Sequence, residues 1–207
     1  MSEGKKDTNL KEIRSRYQPL RERSEKLLAE SGIPNNTPEF RKARSRFARE
    51  AYMSGIDEVT KLPIRSLFET RLQEEISRSE RSEMPLTMCI VDLNNLKTIN
   101  LGGLPEGDKA LRNVAEKIIM SIRRTDYAAR YGGDEFAILF PGATEDDISI
   151  WWERFIEGMR GSNHTVTASA MQIDRGNVNA ARTKLTEKLK ETKDQNNHTT
   201  NVFVMAR

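Results

Sequence analysis

The sequence predicts a mixed α/β (α+β) domain, with helices packed on a central sheet, and three observations predict it. Helical and strand-like segments alternate from about residue 57 to the end of the chain. The segment 86–93, LTMCIVDL, is apolar along nearly its whole length, as in a strand buried on both faces. A Gly132-Gly133 pair separates two short strand-like segments, which reads as a hairpin.

The elements follow in order. Residues 8–31 suit a helix with a stripe through Leu10, Ile13, Tyr17, Leu20, Ser24 and Leu27, kinked or divided at Pro19. The run Gly32-Ile33-Pro34-Asn35-Asn36 breaks it. Thr37-Pro38-Glu39 opens a second helix, with a hydroxyl N-cap, a proline at the first position and an acid in the first turn. Gly55-Ile56-Asp57 marks a junction, so residues 1–55 form a helical extension and 56–207 the main domain. There, helices are expected at 64–81, 106–123, about 145–160 and 179–194, and strands at 86–93, 126–131, 135–140, 164–172 and 200–206. Thr144-Glu145-Asp146-Asp147 resembles a capping box, and Ile148, Trp151, Trp152 and Phe155 supply the buried face of the helix it opens.

Composition narrows the class. At 207 residues the chain holds one well-cored domain plus an extension. No apolar run approaches the ~20 residues that span a bilayer, and the charged N-terminus lacks a signal peptide's apolar stretch. One cysteine, Cys89, excludes an internal disulfide and is expected to be a buried, inert thiol. These features point to the cytoplasm and away from membranes. Arginines crowd the first quarter, but glutamates interleave with them, the pattern of a solvated helix rather than a nucleic-acid surface.

The chemistry gathers around Arg130-Tyr131-Gly132-Gly133-Asp134-Glu135-Phe136. Glycines at a turn admit a bulky ligand close to the backbone, and adjacent carboxylates can hold a divalent metal. Standing alone, the pentapeptide would read first as an ordinary Gly-Gly hairpin with solvated acids. Asp92, however, ends the buried strand, where a carboxylate is costly unless paired or on a metal. Beside the hairpin it would complete an oxygen-rich site, with Lys97 as a phosphate partner.

The intact run Gly132–Phe136 resembles the signature of the GGDEF family of diguanylate cyclases. Five such residues arise by chance on the order of once in a million positions. Asp57-Glu58-Val59-Thr60-Lys61-Leu62-Pro63-Ile64-Arg65 echoes that family's opening motif, and Asp92-Leu93-Asn94-Asn95-Leu96-Lys97 its metal strand. The resemblance implies a nucleotidyl-cyclase-like, mostly antiparallel sheet ringed by helices. It implies magnesium, or manganese in its place, on Asp92, the carbonyl of Leu93, Asp134 and Glu135, with Asp134 also helping to activate the attacking hydroxyl. Asn100 and Asp108 would read guanine, Lys97 and Lys193 would neutralise the triphosphate, and Gly132 and Gly133 would lie along the phosphates. Arg123 and Asp126 match the family's Arg-x-x-Asp site for inhibitory cyclic di-GMP. The implied reaction joins two GTP molecules into cyclic di-GMP and two pyrophosphates, and needs two domains face to face, hence a homodimer.

The chain departs from the family pattern at several points. Ile64 stands for an asparagine, Asn94 for the second acid of the metal strand, Leu96 for a phenylalanine, and Asn197 for an arginine near Lys193. Ala168-Ser169-Ala170 replaces a Ser-x-Gly. The segment between Asn100 and Asp108 is one residue short, with Leu101 in place of an acid, and is expected to loosen guanine selection. The alternatives to a working cyclase are a weakly catalytic receptor for GTP or cyclic di-GMP, and an interaction module.

Overall fold

The structure, a computed structural model, describes residues 55–196 and 200–206, together with 30, 32, 37–39 and 42–43. The expected helix over 8–31 and Asn197 lie outside the described residues. Pro38-Glu39 and Lys42-Ala43 are helical, within the second expected helix. The chain divides into two compact units, Met1–Ile56 and Asp57–Arg207. The second carries everything that follows.

Five strands form one sheet: β1 (Leu86–Leu93), β2 (Tyr127–Arg130), β3 (Glu135–Pro141), β4 (Val166–Gln172) and β5 (Val202–Met205). Their order is β2-β3-β1-β4-β5. All neighbours are antiparallel except β4 and β5, which are parallel. The apolar strand β1 is therefore central and buried at every position, as its composition demands.

Helix α1 (Arg65–Ser82) packs on β1, β2 and β3 through a face that includes Leu67, Phe68, Leu72 and Ile76. Its N-cap residue, Ile64, provides no side-chain cap, which is the local consequence of isoleucine in place of asparagine. A short helix α2 (Leu96–Ile99) and a 3₁₀ turn, Asn100–Gly102, lead into α3 (Leu104–Ser121). The strand-to-helix corner turns at Asn95, whose φ of 59° is left-handed and suits asparagine better than most side chains. The short α2 leaves no periodic signal in the sequence.

Helix α4 (Glu145–Met159) opens with the expected capping box: Thr144 accepts from the Asp147 N–H, and the Asp147 side chain accepts from the Thr144 N–H. Ile148, Trp151 and Phe155 are buried as expected, but Trp152 is only half-buried and instead stacks on Phe203 of β5. Helix α5 (Val178–Asn196) packs on β4, β5 and β1. Cys89 is buried in β1, and burial pushes its thiol far up, so it is inert.

Candidate functional site

The register of the sheet assembles the site. Asp92, next to last in β1, lies directly opposite Glu135, the first residue of β3, and opposite Thr167 of β4 on its other side. The Leu93 N–H donates to the Asp134 carbonyl at 2.9 Å, tying the end of β1 to the turn. Asp92, Leu93, Asp134 and Glu135 thus meet at one edge of the sheet.

The glycines act by size rather than handedness. Neither Gly132 nor Gly133 has a positive φ, so the hairpin does not use the left-handed turn that a Gly-Gly pair suggests. A Cβ on Gly132 would stand 2.7 Å from Oε2 of Glu135, whereas one on Gly133 would meet nothing within 4 Å. Gly132 leaves room for the carboxylate, and Gly133 leaves the tip open to a ligand.

Asp92 is 4% exposed, and burial pushes its carboxyl up to about 7. The Lys193 ammonium, in contact with its Oδ1, pulls the other way, while Asp134 and Glu135 add to the rise. Glu135 is also raised, first by burial and then by Asp134. Asp92 and Glu135, both held above the ordinary carboxylate range with Asp134 beside them, offer hard oxygen donors that fit a divalent cation. Among the described residues no three acid, histidine or cysteine side chains close into a cage.

Asn94 is taken up by hydrogen bonds of its own. Its amide donates to Thr165 Oγ1 at 3.0 Å and to the Thr200 carbonyl at 3.4 Å, and accepts from Thr167 Oγ1 at 2.9 Å. A carboxylate could accept from either hydroxyl but could not donate to the Thr200 carbonyl. The asparagine is therefore a buried clasp between β1 and its neighbours.

Asn100 and Asp108 flank the shortened segment. Asn100 ends α2, and its side-chain oxygen occupies the space where a Cβ of Gly107 would be, 1.9 Å from that point. Gly107, against which Asn100 packs, immediately precedes Asp108 in the first turns of α3. A glycine inside a helix costs about 1 kcal/mol, and here it is the condition for that approach. Lys97 is exposed on α2 and makes no ion pair among the described residues.

At the other end of α3, the Arg123 N–H donates to Asp126 Oδ2 at 2.6 Å, and the Arg123 side chain meets Asp147 at 3.3 Å. Asp126 is 5% exposed, so its carboxylate is largely engaged in shaping this turn. Arg123, Asp126, Asp147, Trp151 and Arg154 line one depression. Arg154 was not singled out in the sequence; its guanidinium is anchored on the Ser121 carbonyl. It lies 28 residues beyond Asp126, and the packing of α3 against α4 brings it to the Arg-x-x-Asp motif.

Sequence reasoning also missed the brace behind the signature. Asp57 takes Arg130 on both carboxylate oxygens at 3.0 Å and accepts from Thr60 through N–H and hydroxyl at 2.7 Å. Burial pushes Asp57 up, but these bonds outweigh it and hold the carboxyl below its ordinary range. Arg130 then donates to the Gly133 carbonyl at 2.7 Å. The opening motif thus fixes the signature turn. Tyr131 donates to Glu69 at 3.0 Å, Arg182 of α5 meets the same carboxylate, and Arg65 lies over the Tyr131 ring, 4.3 Å from its centroid.

Comparison with known proteins agrees with this architecture. Residues 54–197 match the family described as diguanylate cyclase, GGDEF domain. The chain belongs to that family. Diguanylate cyclase DosC of Escherichia coli K12 is 38% identical over 94 residues, covering 45% of this chain and 20% of that protein. Diguanylate cyclase DgcP of Pseudomonas aeruginosa is 36% identical over 90 residues, 42% of this chain and 13% of DgcP. The matched region is thus a minor part of those relatives. The coiled coil and GGDEF domain of DgcB from Caulobacter crescentus, solved with c-di-GMP, superposes with a TM-score of 0.74 at 23% identity, covering 88% of this chain and 98% of that one. SiaD of Pseudomonas aeruginosa, solved with its activator SiaC, gives 0.69 at 23%, covering 97% and 78%. These two establish the fold. No helix among the described residues is long and apolar enough to cross a membrane.

Proposed function

We propose that the chain condenses two GTP molecules into cyclic di-GMP, releasing two pyrophosphates, and that the product restrains it through the Arg123–Asp126 depression. The observation that carries the reading is the register pairing of Asp92 with Glu135, with Asp134 tied to the same strand end. In each bond-forming step the 3′-hydroxyl of one GTP attacks the α-phosphorus of the other, a P–O bond forms, and the bond to pyrophosphate breaks. Asp134, half-exposed at the turn, takes the hydroxyl proton.

Asp92, Glu135 and the Leu93 carbonyl would hold a divalent cation, which supplies charge stabilisation for the attacking and leaving oxygens. Lys193 would turn from Asp92 to the phosphates once that carboxylate is otherwise neutralised. Asp108 accepts from guanine N1–H and N2–H, a pattern that adenine lacks, and Asn100 fixes the same edge. The open Gly133 tip lets phosphate approach the backbone. One chain presents one such edge, so the two substrates come from two domains set face to face.

The test is incubation of purified protein with GTP and magnesium, followed by chromatography of the nucleotides. Wild type should yield cyclic di-GMP. Asp92→Ala and Asp134→Ala should each lose at least about 100-fold in rate, since each removes charge-stabilising or proton-accepting oxygen from the transition state. Full turnover in either variant would refute the site. A wild type that binds GTP yet forms no product, with manganese supplied as well, would instead identify a receptor.

A further inference from the structure

The negative groups at the sheet edge outnumber the cation that faces them. Asp92, Asp134 and Glu135 act on one another electrostatically, and Lys193 is taken up by Asp92. A triphosphate brought to this edge carries more negative charge than Lys193 alone offsets, even once that side chain turns to it. Arg65, the first residue of α1, offers a further positive group.

Its guanidinium is stacked over Tyr131, 4.3 Å from the ring centroid. Tyr131 immediately precedes Gly132, is 9% exposed and is held by its hydroxyl on Glu69. The ring is therefore a fixed platform, and the stacked guanidinium keeps its N–H edges directed outward. Arg65 has one ion partner among the described residues, Glu69, at a long 3.7 Å. Glu69 is already satisfied by Arg182 and by the Tyr131 hydroxyl. The Arg65 side chain is 61% exposed, and its field reaches Glu135. An exposed, oriented guanidinium next to a glycine turn is suited to bidentate contact with phosphate oxygens.

We propose that Arg65 is a phosphate-binding residue of this site, gripping the β- and γ-phosphates of the nucleoside triphosphate from its stack on Tyr131. The inference rests on the nucleotide reading of the same edge and adds a residue that none of the roles assigned above includes.

Calorimetric titration of the full chain with α,β-methylene GTP and with GMP, both in magnesium, tests it. Arg65→Gln should bind the triphosphate analogue about 10- to 100-fold more weakly, the effect of losing a charge-assisted contact. Its affinity for GMP, which lacks both outer phosphates, should stay within about twofold of wild type. Arg65→Lys should fall between, because it keeps the charge and loses the planar fork. Equal weakening toward both ligands would show that Arg65 only positions the hairpin, and would overturn the proposal. So would unchanged affinity of Arg65→Gln for the triphosphate. If wild type binds neither ligand, the nucleotide reading itself falls, a result distinct from both.

Discussion

Asp92 shows how one residue's environment dictates its chemistry. Burial at the end of a central strand raises its carboxyl to about 7 from an ordinary 3.8, with Asp134 and Glu135 adding to the rise against the pull of Lys193. A cation needs the carboxylate, so below pH 7 binding must expel a proton. Apparent magnesium affinity should therefore fall about tenfold per pH unit below 7 and level off above it. The linkage runs the same way for the metal-free fold. A raised carboxyl pKa stabilises the folded state below its ordinary pKa, and that contribution is lost as pH rises through 7. Magnesium titrations at pH 6, 7 and 8 check the first statement; a pH-independent affinity would mean that no ligand carboxyl titrates in that window, and would overturn it. Asp92 was legible in the sequence because a lone acid in LTMCIVDL is conspicuous. Its partner Lys193 was not legible by spacing, since about a hundred residues separate them and only sheet packing joins them.

At the scale of elements, the turn after α3 and the cap of α4 share a residue. Asp147 completes the capping box with Thr144 and also receives Arg123. Hydrogen bonds from Thr144 and the Arg123 guanidinium hold its carboxyl below the ordinary range. Cyclic di-GMP entering this depression must draw Arg123 away from an exposed partner, which is a weak competitor. Arg123→Ala should therefore weaken product binding roughly 10- to 100-fold and leave the signature turn untouched, so synthesis continues where wild type stalls. Arg124, outside the motif and exposed, serves as the control. Calorimetry with cyclic di-GMP on wild type, Arg123→Ala and Arg124→Ala decides it; equal affinity in all three would reduce the motif to a structural turn. The capping box and the Arg-x-x-Asp spacing are local and could be read directly. Arg154 could not, because its place in the depression depends on how α4 lies against α3.

For the whole molecule, the proposed site lies on one domain, while the proposed reaction joins two nucleotides. Product formation should then depend on encounter. Where sedimentation reports monomer, doubling the protein should roughly quadruple the initial rate, by mass action. A rate strictly proportional to concentration in that range would mean that one domain suffices. The unit Asp57–Arg207 has its own sheet, with β1 at its centre, and Asp92, Asp134 and Glu135 all lie within it.

The sequence alone determined what depends on local pattern and on short spacings. The apolar run 86–93 had to be a central strand, because no other place hides it. The acids after Gly132-Gly133 and at Asp92 identified the chemistry, and the signature identified the family. Tertiary structure decided what depends on pairing across the chain. It set Asp92 opposite Glu135, gave Lys193 to Asp92, turned Asn94 into a clasp and braced the signature through Asp57 and Arg130. It also assigned the glycines their work: Gly132 makes space for Glu135 and Gly107 for Asn100, by close approaches that no φ preference announces. Register and packing are set by burial summed over the whole sheet, and a linear pattern does not contain that sum.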